Sequence, residues 1–187
     1  MSSKPTVIII QGHPCTGKTF LMKELHKELG LPYLSRDEIK ELLFDELGTG
    51  DRDWSMKLGQ TSYSLVFHSF EKLLAARSSL ILESNFEPLR NREKIRTALE
   101  TYGFNAIELF LWADPQILMT RFKKRWESGT RHKGHVDHER YADLAGRLEN
   151  KKLTPLEISK HRLTVDTTDF ETVDLKNLVR EIRVLLA

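Results

Sequence analysis

The run Gly12-His13-Pro14-Cys15-Thr16-Gly17-Lys18-Thr19 matches the pattern G-x-x-x-x-G-K-[ST] at every fixed position. Glycines at that spacing let backbone N–H groups converge on an anion, and the dipole of a following helix adds partial positive charge there. A lysine in the seventh place reaches the β- and γ-phosphates of a nucleoside triphosphate, and a hydroxyl in the eighth ligates Mg²⁺. All eight residues are therefore expected to form a nucleotide site, with Lys18 also acting on the reacting phosphate and Thr19 on the metal. Cys15 lies inside this loop, where a helix N-terminus can lower a thiol's pKa, although a small filler side chain fits the position equally well.

Four more stretches carry chemistry. Ser35-Arg36-Asp37 combines a carboxylate with a guanidinium. Asp37 can accept a proton from an attacking hydroxyl, help hold Mg²⁺, or simply favour a helix start, an effect worth under about 1 kcal/mol. Arg36 can hold a phosphate on an acceptor. Glu83 ends the apolar run Leu80-Ile81-Leu82, where an acid reaches Mg²⁺ directly or through water. The basic cluster Arg121, Lys123, Lys124, Arg125 and Arg131 sets Arg121 and Arg125 one helical turn apart, with Leu118, Phe122 and Trp126 on the core face. Planar guanidinium groups suit the charge of a transferring phosphoryl group, and the glycines that follow point to a lid over about residues 121–140. Lastly, Arg131 to His138 holds three histidines. Their spacing matches no zinc pattern, and Arg131 and Lys133 would repel a cation. That leaves lid contact with phosphate or acceptor, or a solvated loop.

These residues need elements to position them. Strands are expected at Thr6–Gln11, Pro32–Leu34, Leu80–Glu83, Ala106–Trp112 and Arg162–Asp166. Several are continuous apolar runs, as parallel strands covered on both faces should be. Helical periodicity marks Lys18–Leu29, Arg36–Leu47, Lys57–Ala76, Pro88–Tyr102, Pro115–Ser128, Glu139–Lys151 and Glu171–Leu186. Ser35 to Glu38 reads as a capping box, and Asp114-Pro115 as an N-cap with proline at N1. The alternation predicts a doubly wound α/β sheet with ligands at the carboxyl ends of its strands. Gly48–Gly59 and Gly129–His138 read as soft, polar segments. Trp112 is expected in the core, while Trp54 is placed to face an acceptor.

Composition narrows the class. The net charge of +2 argues against a broad nucleic-acid surface but leaves a local basic patch open. The one cysteine excludes an internal disulfide and fits a reducing cytoplasm. With no long apolar run and no leader pattern before the first strand, a cytoplasmic protein of one domain spanning residues 1–187 is expected, with no membrane and no obligate protein partner.

Together, GHPCTGKT, LSRDEIK, LILESNF and TRFKKRWESGTRHKGH resemble the small P-loop kinases related to polynucleotide 5′-kinase, with chloramphenicol phosphotransferase and zeta-toxin kinases as more distant relatives. The resemblance implies a P-loop NTPase fold with a five-stranded parallel sheet ordered 2-3-1-4-5. It makes Asp37 the general base, Arg121 and Arg125 lid arginines, and the segment at Thr167 a neighbour of the adenine ring. Lys40 stands where polynucleotide kinases carry an arginine for the acceptor's phosphate, and Glu83 replaces a more usual aspartate. The expected activity is transfer of the γ-phosphoryl of ATP, with Mg²⁺, to a hydroxyl of a small molecule or of a nucleic-acid 5′ end. Arg36, Lys40 and Arg131 would meet the acceptor. The rival is a nucleotide-binding switch that hydrolyses ATP slowly; it would need neither an acceptor base nor a second pocket.

Overall fold

A computed structural model describes residues 4–150 and 153–186. The first residues of the chain and Lys151, the expected end of the Glu139 helix, lie outside the described residues. Strands β1 (Thr6–Gly12), β2 (Tyr33–Ser35), β3 (Leu80–Glu83), β4 (Asn105–Trp112) and β5 (Arg162–Asp166) form one sheet in the order β2-β3-β1-β4-β5. Every pairing is parallel. The helices are α1 (Lys18–Leu29), α2 (Arg36–Leu47), α3 (Arg52–Ala75), α4 (Pro88–Tyr102), α5 (Pro115–Glu127), α6 (Tyr141–Asn150) and α7 (Leu175–Leu186).

The continuous apolar run of β1 has its reason in this layering. Val7 and Ile9 pack with Val66, Phe70, Ile95 and Leu99 of α3 and α4, while Ile8 and Ile10 pack with Leu21, Leu25, Val179 and Ile182 of α1 and α7. Each such side chain contributes about 1.5–3 kcal/mol on burial. The centre of the sheet, and hence the loop leaving it, is thereby fixed. Parallel register then sets Ile10 beside Glu83 and Glu83 beside Ser35, so three strands end together.

Several expectations are corrected. The Gly48–Gly59 stretch is mostly helix: Asp51 caps α3 by accepting the Trp54 N–H at 2.9 Å, so the helix starts at Arg52 rather than Lys57. Trp54 turns back to donate its indole N–H to the Gly48 carbonyl at 2.9 Å and does not line the cavity above the phosphate loop. Ser35 is the N-cap of α2 without a side-chain cap bond, because its hydroxyl donates to Glu83 Oε2 at 2.7 Å. Trp112 is 42% exposed at the end of β4, and Trp126 is 41% exposed beside the His138 ring, so neither is core. Residues 129–140 are not an open loop. They fold into two short 3₁₀ turns, Lys133–His135 and Asp137–Arg140, and helix α6 follows at Tyr141. A further 3₁₀ turn, Phe170–Thr172, displaces the start of α7 to Leu175. Asp114 does cap α5, accepting the N–H groups of Gln116 and Ile117.

Candidate active site

The loop between β1 and α1 turns on two left-handed residues, Cys15 (φ 68°) and Gly17 (φ 82°). Left-handed residues at this spacing curve the backbone into an anion-binding concavity. Its glycines have no room for side chains. A Cβ on Gly12 would lie 2.4 Å from the Leu111 carbonyl oxygen, and one on Gly17 would lie 2.3 Å from the Phe170 ring. Gly12, His13 and Thr16 build the loop rather than the cavity wall: Thr16 is buried and gives its hydroxyl to the His13 carbonyl at 2.9 Å. Lys18 Nζ donates to that same carbonyl at 2.9 Å. Burial lowers the Lys18 pKa, opposed by the carboxylates of Glu83 and Asp37. Burial raises the Glu83 pKa, with Lys18 pulling the other way. His13 is pushed down to about 4, by burial first and then by Lys18 and Arg147, so it is neutral near pH 7. The Cys15 thiol is raised by burial, contrary to the helix-dipole expectation of a reactive thiolate.

A cavity of about 370 Å³ opens above this loop. That is the lower part of the range for small-molecule sites, about 300–1,000 Å³. Pro14, Cys15, Gly17, Lys18 and Thr19 form its floor, and Glu83 and Asn85 enter from the end of β3. Arg36 and Asp37 enter from α2, Arg121 and Arg125 from α5, and Arg131 and Asp137 from the segment beyond it. Asp37 Oδ1 accepts from Arg36 Nη2 and its Oδ2 from Arg131 Nη2, both at 2.8 Å. Burial alone would raise the Asp37 pKa, but Arg36 and Arg131 outweigh it and hold the carboxyl well below the usual aspartate range. Arg125 Nη2 donates to Asp137 Oδ2 at 2.9 Å, and Arg121 Nη2 to the Thr168 carbonyl at 3.0 Å.

The segment carrying Arg131 is seated on α2. Gly134 lies against the Phe44 ring, where a Cβ would come within 2.4 Å, and the His132 ring stacks on the same phenylalanine at 5.2 Å. Arg131 Nη2 lies 3.1 Å from His135 Nδ1. A guanidinium only donates, so Nδ1 is the acceptor, and Nε2 carries the hydrogen given to Glu41 Oε1 at 2.8 Å. That arrangement uses a neutral His135, and burial moves its pKa downward in the same sense, with the Glu41 hydrogen bond opposing. The three histidines do not converge. Among the described residues no group of three His, Cys, Asp or Glu could hold a metal ion.

Two expected site residues lie elsewhere. Lys40 is buried between α2 and α3, donates to Ser55 Oγ at 2.9 Å and lies over the Phe44 ring; burial lowers its pKa to about 8. It does not line the cavity. Its side chain, three residues beyond Asp37 on α2, faces α3. Thr167 is also buried and returns its hydroxyl to the Trp112 carbonyl at 3.0 Å, so it presents no group to a ring in the cavity. Conversely, Phe20, Arg140, Asp143, Leu144 and Arg147 line the wall without having been singled out from the sequence. Arg140, Asp143, Leu144 and Arg147 share one helical stripe, spaced three, four and seven apart, and that spacing was readable.

A loop curved into an anion-binding concavity at the carboxyl end of a parallel sheet, under helix-borne arginines, defines a P-loop nucleotide-binding fold. The family model AAA_33, described as an AAA domain, matches residues 7–150, and the chain belongs to that family. A candidate kinase from Chloroflexus aurantiacus, solved by crystallography, is 37% identical, superposes with a TM-score of 0.91, and is covered over 100% of its length by 98% of this chain. Shikimate kinase from Bacteroides thetaiotaomicron (16% identity, TM-score 0.54, 97% of this chain and 98% of that one) shares the fold. So does a chain of the Pnkp1/Rnl/Hen1 RNA repair complex (18% identity, TM-score 0.54, 83% and 49%). Among curated proteins, an ATP-dependent zinc metalloprotease FtsH of Pirellula staleyi is 25% identical over 98% of this chain. The chain spans 27% of that relative's length. No described helix is long and apolar enough to cross a membrane.

Proposed function

We propose that this chain is a kinase that moves the γ-phosphoryl of ATP to a hydroxyl of a small-molecule acceptor. The observation that carries the reading is that one cavity holds the phosphate loop with Lys18, the carboxylate of Asp37, and the guanidiniums of Arg121 and Arg125. A nucleotide switch needs an acid for its metal, the place Glu83 fills, but no second carboxylate to take a proton from an acceptor.

The residues present fit ATP and Mg²⁺. Arg121 Nη1 and Arg125 Nε are buried donors without a hydrogen-bond partner, which a phosphoryl oxygen would satisfy. Lys18 and the loop amides would hold the phosphates, and Thr19 and Glu83 would hold the metal. When bound, Mg²⁺ neutralises charge on the phosphate oxygens. Phe20, half-exposed beside the loop, offers an apolar face to a base.

On the acceptor side, Asp37 stays ionised because Arg36 and Arg131 stabilise its charge. Each of its oxygens accepts one guanidinium N–H and keeps a second lone pair, so Oδ2 or Oδ1 can also accept the acceptor's O–H. Asp37 orients that hydroxyl and takes its proton as the bond to phosphorus forms. The segment seated on α2 shields the cavity, which favours an alcohol over water as nucleophile.

The test is a screen of alcohols with γ-labelled ATP. Label moving onto an organic acceptor, faster than onto water, is the expected result. Release as inorganic phosphate alone, whatever the alcohol, would support a hydrolytic switch instead.

A further inference from the structure

The cavity holds an unspent positive charge. Seven cationic side chains line it (Lys18 and six arginines) against four carboxylates, an excess of three. Those carboxylates are already committed. Asp37 takes Arg36 and Arg131, Asp137 takes Arg125 at 2.9 Å, Asp143 takes Arg52 at 2.6 Å, and Glu83 takes the Ser35 hydroxyl. Arg140 is left with no hydrogen bond and no ion pair among the described residues, although it lines the wall and is largely screened from solvent. Burial lowers its pKa, Asp137 opposes this, and the like charges of Arg36 and Arg147 lower it further. Arg147, one turn of the stripe beyond Leu144, holds only a long contact of 3.5 Å to Glu87 at the exposed rim. On the other flank, Arg36 keeps a buried Nε without a partner.

Arg36 has the shared Asp37 carboxylate, Arg147 only the long contact to Glu87, and Arg140 no partner among the described residues, so the three together carry an excess of positive charge that an anionic ligand would offset. The nucleotide's phosphates belong at Lys18, Arg121 and Arg125, whereas Arg140 sits with Arg36 and Asp37, where the acceptor's hydroxyl is oriented.

We propose that Arg140, with Arg36 and Arg147 beside it, is an anion subsite of the acceptor pocket, so that the phosphoryl acceptor is an alcohol carrying an oxyanion group, carboxylate or phosphate monoester. Guanidinium forks pair with either group through two parallel hydrogen bonds. The group fixes the far end of the acceptor while Asp37 holds its hydroxyl. The proposal rests on the phosphotransferase reading above.

Two measurements test it. First, matched alcohols are compared with γ-labelled ATP: glycerol against glycerate and glycerol monophosphate, and a free sugar against its monophosphate. The anionic members should be the better acceptors. Arg140→Gln, which breaks no side-chain hydrogen bond or ion pair among the described residues, should raise their KM about tenfold or more while sparing the KM for ATP. Neutral members accepting as well as the anionic ones would overturn the proposal and leave the kinase standing. Label passing only to water would sink the kinase reading itself. Second, inorganic phosphate is titrated by calorimetry into protein saturated with Mg²⁺ and a non-hydrolysable ATP analogue, so that the phosphate loop is already filled. Binding to wild type that weakens about tenfold or more in Arg140→Gln, but not in the surface variant Arg180→Gln, is expected. Equal binding to all three proteins, or none to wild type, would contradict an anion subsite.

Discussion

At the Lys18 end the cavity is made of backbone and sheet, whereas at the Asp37 end it is made of side chains from separate stretches held by ion pairs. The loop of residues 12–19 hangs from a strand buried along its whole length, and its glycines sit where no Cβ fits. The opposite wall gathers Arg36 and Asp37 from α2, Arg131 from the segment seated on Phe44, and Arg140 and Arg147 from beyond it. The first construction is rigid and suits a phosphate chain, which every nucleotide presents alike. The second can be re-specified by exchanging single side chains, which suits the partner that differs between kinases.

The largest effect that could break this contrast is at the rigid end. Lys18→Ala should leave a folded protein, because Lys18 holds only a loop carbonyl, yet lower phosphoryl transfer by about 10³-fold. Steady-state kinetics and a thermal melt read both outcomes, and a folded variant with normal turnover would remove Lys18 from the phosphate site. A smaller effect is expected where the two ends meet. Arg125→Lys keeps the charge but loses the planar fork and its pairing with Asp137, so kcat should fall about tenfold or more while ATP affinity changes less. Loss of affinity without loss of kcat would make Arg125 a ground-state contact only.

The smallest effect sharpens the boundary of the acceptor wall. Lys40, excluded from the cavity, has a folded-state pKa of about 8 against an ordinary 10.5. Between those values the unfolded chain binds more protons than the folded one, so stability should rise as pH climbs through this window. Lys40→Met should remove that slope in denaturant titrations at several pH values and leave the acceptor KM unaltered. An acceptor KM that rises would return Lys40 to the site. Asp37 gives a slope of the same sign in a more acidic window: its depressed pKa stabilises the fold above the unfolded aspartate's pKa, and that stability is lost as pH falls through the folded value.

The sequence exposes the two ends unequally, for the same structural reason. The phosphate loop is contiguous, and the sheet order followed from a family resemblance, so both were legible. Glu83 was recognisable as an acid closing a strand, but its partner Ser35 was read as a helix cap; the bond between them depends on strands β2 and β3 being neighbours. Lys40 was assigned to the acceptor by analogy, although its helix turn faces α3. Thr167 stands near the base only by the family resemblance of its segment, and the bond of its hydroxyl to the Trp112 carbonyl depends on how β4 and β5 end together. Arg140 and Arg147 went unnoticed although their helical spacing was present, because nothing local says that a solvated stripe will close over a cavity.

The central claim, that Asp37 serves the acceptor and not the nucleotide, has a direct measurement. Transfer of label from γ-labelled ATP to an accepted alcohol, and the Kd for ATP–Mg²⁺, are determined for wild type and Asp37→Asn. The substitution keeps the shape but removes the charge that takes the proton. Transfer should fall about 10²–10⁴-fold with the Kd unchanged. Wild-type transfer by Asp37→Asn, or a loss of ATP–Mg²⁺ binding that matches the loss of transfer, would contradict the account.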